Sequence, residues 1–331
     1  MLRLRFVPLL LAAATLPAFA SVDTALLALL PPGAKLVSGV DFERARSSQF
    51  GQFLTSKMNV NNQGLEQFVA QTGFDPRHDI QEIVFASSGP VEGASSSSRF
   101  AILARGTFDQ DRLAATAKSK GLTAQPYRGV SLFIDKSKHD GPSAFAFLGD
   151  GVGVMGDLET VKQIVSNRQT PTVPDSALQA EINKVGTDND AWFVSFLSGG
   201  FLANRLSAEV NGESSGGDNK GAMPQAQALQ SVVQSSGGIQ FGSTVRLSFD
   251  AITRSAQDAT SLADVVRFFA SMIQMSREKD PRAGIAASAF DAMNLSTDGD
   301  AMHLSLSLPE KSLEDLVNSA PAGASAHPHA Q

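Results

Sequence analysis

Apolar residues recur along this chain with two rhythms, one of two residues and one of three to four. The first predicts strands over residues 36–42, 80–86, 100–105, 130–134, 144–148 and 152–155. The second predicts helices over 47–58, 62–72, 109–120 and 158–166, with Phe50, Phe53 and Leu54 on one face of the first and Leu158, Val161, Ile164 and Val165 on one face of the last. Farther on, strands are expected over 191–196, 243–252 and 301–308, and helices over 225–235, 261–275 and 310–318. The 261–275 segment carries Leu262, Val265, Val266, Phe269 and Ile273 on a single stripe. In 301–308, Met302, Leu304, Leu306 and Leu308 alternate with His303, Ser305 and Ser307, the signature of an antiparallel strand with one wet face.

Three local matches suggest that one unit occurs twice in the same order. Residues 34–38 (Ala-Lys-Leu-Val-Ser) resemble 191–195 (Ala-Trp-Phe-Val-Ser). Leu65, Phe68, Val69 and Gly73 have the spacing of Leu229, Val232, Val233 and Gly237, which reads as a helix face ended by a glycine. Asp150-Gly151 and Asp298-Gly299 each stand between two strand-like runs and ahead of a helix, as hairpin turns do. The expected fold class is α+β, with two tandem modules of ferredoxin-like style. Each would be a mainly antiparallel sheet with helices packed on one face. The divisions are a leader over 1–20, an N-terminal spacer or short helix within 21–33, a first module over 34–166, a linker over 167–190, a second module over 191–319 and a disordered tail over 320–331. The two sheets could lie side by side or face to face.

The N-terminus changes the picture by suggesting a compartment. Arg3 and Arg5 precede an apolar stretch too short for a comfortable bilayer span, and Ala18-Phe19-Ala20 has the small-x-small pattern of a cleavage site. This predicts a signal peptide cut after Ala20 and a periplasmic or secreted protein. An uncleaved anchor is the alternative. The composition, 42% hydrophobic and 18% charged, is that of a globular protein. Losing Arg3 and Arg5 with the leader takes the formal charge from −6 to −8. An acidic chain without a basic run is a poor ligand for nucleic acid and for anionic lipid surfaces. The absence of cysteine excludes disulfides, thiolate catalysis and cysteine-bound metal together.

Candidate chemistry is sparse. Residues 151–156 (Gly-Val-Gly-Val-Met-Gly) match a dinucleotide fingerprint, but Asp157 and Glu159 would set negative charge where a pyrophosphate sits. Val152, Val154 and Met155 read as strand instead of the tight turn, and export would separate the protein from cytosolic cofactors. His78, His139, His303, His327 and His329 show no metal-ligand spacing, and His327-Pro328-His329 reads as a solvated tail. Asp188-Asn189-Asp190 and Asp298-Gly299-Asp300 read as acidic turns because neither continues into a calcium loop. His78 with Asp75 and Asp79 reads as a surface turn at Phe74-Asp75-Pro76. Trp192 and Tyr127 are single residues of their types against 21 phenylalanines, and Trp192 reads as core. No catalytic, cofactor-binding or metal residue is nominated.

The export signal, the opening strand, the Phe-Asp-Pro turn before a strand and the strand–Asp-Gly–strand–helix endings resemble a family of uncharacterised bacterial exported proteins with duplicated α+β modules and a domain of unknown function. The resemblance implies no catalytic residues. The functional expectation is a non-enzymatic envelope protein that binds a protein partner or an apolar small molecule, with a crevice between modules as the site. It would have no stable membrane insertion after cleavage. A hydrolase using carboxylates or serines, with His78 or His139 as base, is the alternative, and a structural or assembly factor is a third.

Overall fold

Strand segments with alternating apolar residues pair side by side wherever each can bury one face, and here they pair across the whole chain. The computed structural model describes residues 22–58, 63–90, 98–137, 141–168, 175–199, 228–275, 277 and 281–319. Its strands are β1 (Leu36–Asp41), β2 (Ile80–Pro90), β3 (Ser98–Gly106), β4 (Thr123–Tyr127), β5 (Val130–Asp135), β6 (Ser143–Gly149), β7 (Val152–Asp157), β8 (Ala191–Ser195), β9 (Val232–Gln240), β10 (Thr244–Thr253), β11 (Asn294–Asp298) and β12 (Ala301–Pro309). They form one 12-stranded sheet in the order β11-β12-β10-β9-β8-β1-β2-β3-β7-β6-β5-β4. Every pairing is antiparallel, including the central β1–β8 contact that sets Leu36 opposite Ser195 and Gly39 opposite Trp192. The fold is therefore α+β with a large antiparallel sheet.

The helices are α1 (Thr24–Leu27), α2 (Phe42–Ser47), α3 (Gln49–Met58), α4 (Gln63–Thr72), α5 (Pro76–Asp79), α6 (Gln110–Ser119), α7 (Leu158–Asn167), α8 (Ser176–Gly186), α9 (Ala256–Met275), α10 (Pro281–Asp291) and α11 (Glu310–Ser319). Their starts are chemically marked. Asp41, Asp75, Asp109, Asp157 and Asp175 cap α2, α5, α6, α7 and α8 by accepting hydrogen bonds from amides of the first turn. Asp157 also accepts from the Phe100 amide at 2.9 Å, which ties the start of α7 to β3.

The two faces of the sheet are filled differently. On one face, Val37, Val84, Leu103, Leu132, Ile134, Ala146, Val154 and Val194 meet Leu26 and Leu27 of α1, Val161, Ile164 and Val165 of α7, and Leu178 and Ile182 of α8 in a continuous buried core. On the other, a smaller core joins Ala251 and Met302 to Leu262 and Ala263 of α9. Helices thus cover both faces, contrary to the expectation of one. The reason lies in β1, β2, β3 and β7, which carry apolar residues at odd and even positions alike and so need cover on both sides.

Further differences have local causes. Of the helix expected over 225–235, residues 225–227 lie outside the described residues and 228–230 are helical, but β9 begins at Val232 and fills the place between β8 and β10. Tertiary pairing of the β-branched Val232 and Val233 overrides a helical spacing that four residues cannot define. The proposed match of Leu65–Gly73 with Leu229–Gly237 accordingly sets a helix against a strand. Gly237 is a packing glycine, not a helix cap: a β-carbon there would lie 3.1 Å from the Phe193 ring and 2.4 Å from the Ser248 carbonyl oxygen. The helix expected over 47–58 divides at Ser48, whose extended backbone separates α2 from α3. Residues 176–185, within the expected linker, are helical, and as α8 they supply Leu178, Ile182 and Val185 to the core. Both Asp-Gly pairs do turn hairpins, β6–β7 and β11–β12. The leader and the tail lie outside the described residues.

Candidate ligand-binding cavity

Strands β2, β3, β7 and β6 present two rows of side chains to the second face. One row runs Ile83–Ala104–Gly153–Phe147 and the next Phe85–Ile102–Met155–Phe145, continuing to Phe133 on β5. Ala104 and Gly153 are neighbours in the first row and leave its middle low. Helices α4 and α6 arch over this floor. Between them and the sheet is a cavity of about 740 Å³ bordered by Phe68 and Thr72 of α4, Leu113 and Ala117 of α6, and the floor residues other than Phe85 and Phe133. A volume of that size lies within the range of about 300–1,000 Å³ typical of pockets for one small ligand.

Its walls are aromatic. Ring centroids run Phe145–Phe147 at 5.8 Å, Phe147–Phe108 at 5.6 Å, Phe108–Phe74 at 5.4 Å and Phe74–Phe68 at 6.2 Å, a contiguous series from the sheet to α4, and Phe133 stacks on Phe145 at 4.8 Å from outside the cavity lining. Among the described residues, Lys120 is the one ionisable side chain that borders the cavity, and no carboxylate does. Thr72 is buried there but satisfied, its hydroxyl donating to the Phe68 carbonyl at 2.7 Å and accepting from the Phe74 amide at 3.1 Å.

Helix α4 sits lightly on this space. Leu65, Phe68 and Val69 form its apolar face, yet none of the three is buried and Phe68 is 39% exposed. Polar clasps hold its C-terminal end instead. Arg112 of α6 donates to the Ala70 carbonyl at 3.2 Å, and Thr116 donates to the Gln71 carbonyl at 3.4 Å. Gly73, at φ 69°, ends the helix in a left-handed conformation that favours glycine, beside the Arg112 guanidinium. Of Leu65, Phe68 and Val69 only Phe68 borders the cavity, beside Gly64, Gln67, Gln71 and Thr72 of the same helix, so a ligand there would meet one aromatic ring and a polar flank of α4.

The residues singled out from sequence fall elsewhere. Residues 151–156 are the β6–β7 turn and β7, so their glycines serve a hairpin. Gly151 has φ 69°, and a β-carbon on it would meet the Gly106 carbonyl oxygen at 2.7 Å. Gly153, by contrast, bears directly on the cavity floor. His78 is exposed and its Nδ1 stands 3.1 Å from Asp75. Asp75 itself is the α5 cap, held well below the usual carboxylate range by its hydrogen bond to the Arg77 guanidinium. Asp190 is buried, pairs with Arg44 at 3.2 Å and accepts from the Phe241 amide, so it ties α2 and the end of β9 to the start of β8. Asp298-Gly299-Asp300 is the β11–β12 turn. Trp192 is 5% exposed in the first-face core, over Gly39, whose missing side chain makes room for the indole. His139, His327 and His329 lie outside the described residues. No cluster of three or more metal-ligating side chains occurs among the described residues, and no described helix is long and apolar enough to cross a membrane.

Two features go beyond what the sequence indicates. His303 and Asp250 project from β12 and β10 with Nδ1 to Oδ1 at 2.7 Å, and Lys184 reaches the other oxygen of Asp250 at 3.4 Å. The alternation in β12 sets His303 on the wet face, but the partner requires the β10–β12 register. The second is the place of the cavity: a site is expected between modules, yet this one is bordered only by residues from Gly64 to Met155. Its signal is the clustering of phenylalanine on the first-half strands, where Phe85, Phe100, Phe133, Phe145 and Phe147 all fall on the second face. Compared with known families, curated proteins and solved structures, the chain matches none.

Proposed function

We propose that this protein is a non-enzymatic binding protein that holds an apolar small molecule in the space between α4, α6 and the sheet. The observation that carries this reading is an aromatic-walled cavity of about 740 Å³ between α4, α6 and the sheet, lined by Phe68, Phe74, Phe108, Phe145 and Phe147. The reading takes the protein as exported, periplasmic or secreted, on the strength of the leader-like residues 1–20. It also takes the chain as two tandem modules. The strand orders β1-β2-β3-β7-β6 and β8-β9-β10-β12-β11, running outward from the central pair, support that division, as does the helix that follows β7 and β12 alike.

The test is titration with the neutral fluorophore N-phenyl-1-naphthylamine, which brightens in an apolar site. The wild-type protein should bind it saturably. Ala104→Phe and Gly153→Leu each place bulk on the cavity floor and should weaken binding at least about tenfold, the effect of losing roughly 1.4 kcal/mol of contact. Absence of saturable binding, or unchanged binding in both folded variants, would overturn the reading.

Hydrolysis draws on one observation, the carboxylate-oriented imidazole of His303. It also needs a nucleophile, and among the described residues no serine hydroxyl bonds to His303 or Asp250. Turnover of an ester, peptide or glycoside panel that is lost in His303→Ala would establish it.

A further inference from the structure

The geometry points to an anionic amphiphile of the fatty-acid type as the ligand, its chain lying along the phenylalanine series and its acid group meeting Lys120. This inference rests on the binding reading above and deepens it. The series Phe145–Phe147–Phe108–Phe74–Phe68 offers a long unbroken apolar wall, suited to an alkyl chain better than to a compact ring system. Each methylene moved from water onto such a wall gains about 0.8 kcal/mol, so a chain of a dozen carbons supplies ample affinity without polar help. Within the cavity the one hydroxyl with a buried residue, that of Thr72, is occupied by the α4 backbone. The other polar side chains of the lining, Gln67, Gln71 and Thr116, are uncharged, so a charged head finds its one counter-ion at Lys120.

The rim supplies a single charge. Lys120 follows the last turn of α6, is exposed, and borders the cavity where no acidic side chain does among the described residues. A ligand lying with its chain inward brings its head past this ammonium group. A carboxylate is stabilised there, an alcohol gains only a hydrogen bond, and a quaternary ammonium is repelled. The cavity volume suits one chain, and a two-chain phospholipid exceeds it.

The experiment is displacement of bound N-phenyl-1-naphthylamine by myristate, tetradecanol, tetradecyltrimethylammonium and a short dimyristoyl phosphatidylglycerol dispersion, below micelle-forming concentrations for the single-chain compounds. Myristate should displace the fluorophore at about fivefold lower concentration than tetradecanol, the scale of one solvent-exposed ion pair. The ammonium compound should rank last and the phospholipid should not compete. Lys120→Glu should abolish the preference of myristate over tetradecanol. Equal displacement by acid and alcohol, a myristate preference that survives Lys120→Glu, or strongest displacement by the cation or the phospholipid would overturn the inference while leaving the cavity as a binding site. Failure of the fluorophore to bind wild-type protein would overturn the parent reading instead.

Discussion

Residues 102 and 103 are adjacent on β3 and differ in what lies beneath them, which makes them a direct test of the hollow second face. Leu103 is fully buried, stands between Val84 on β2 and Val154 on β7, and belongs to the first-face core. Leu103→Ala removes three carbons from a packed site that cannot collapse, because the flanking strands are fixed by their ladders. Transfer and cavity terms together come to about 4 kcal/mol. Ile102 stands between Phe85 and the half-exposed Met155, is itself only partly buried, and borders a void already there. Ile102→Ala enlarges that void without creating one, so it loses part of a transfer term, about 1 kcal/mol. Urea unfolding of the two variants and the wild type at neutral pH gives both numbers. Equal costs, or a greater cost at Ile102, would mean that the second face is packed as densely as the first. A saturating apolar ligand adds a second readout. At one hundred times its dissociation constant it stabilises the wild type by about 2.7 kcal/mol, a gain that Ala104→Phe should forfeit.

Glu82 offers a pH-dependent test: its pKa is pushed up to about 7, chiefly by burial and further by the Asp23 and Asp41 carboxylates, against the Asp23 amide and Arg105 that favour its ionised form. The folded chain then holds a proton that the unfolded chain releases near the ordinary value of 4.5, so stability falls as pH rises from about 4.5 to 7. Glu82→Gln keeps an acceptor for the amide and should stabilise by about 1 kcal/mol at pH 8, discounted for its partial exposure, with no gain at pH 4. A gain equal at both pH values in thermal unfolding would refute this. Gly39→Ala would set a methyl 2.5 Å from the Trp192 indole, so it should destabilise by about 2 kcal/mol and red-shift the emission of the single tryptophan. Gly151→Ala combines φ 69° with a clash against the Gly106 carbonyl, and should cost at least about 1 kcal/mol in the same unfolding assay.

How far the sequence discloses this molecule depends on whether each element's signal is local. The hairpin at Asp150-Gly151 is legible because φ 50° and 69° suit that dipeptide whatever surrounds it. Helix α7 is legible because Asp157 caps it and Val161, Ile164 and Val165 all turn to one side. Helix α10 escapes a reading by periodicity because its small residues mark no face: Gly284, Ala287 and Ala289 define no stripe. Strand β4 is equally silent, because it is a polar edge carrying Pro126, and only its pairing with β5 makes it strand. The cavity is hardest to read for a different reason. Phe145 and Phe147 on β6 look like core residues, and by pairing they are neighbours of Met155 and Gly153 on a well-formed sheet. Sequence alone registers that such a face is apolar, but whether it is filled depends on the separation between α4 and the floor. That separation is set by contacts remote from the floor itself, the Arg112 and Thr116 clasps on the end of α4, while the small residues Ala104 and Gly153 keep the floor low. A hydrophobic face becomes a binding site when the element that should fill it is held away by bonds of its own. Here that arrangement leaves Phe68 of α4 bordering the same space as Phe145 and Phe147 of the floor, with room between for a ligand.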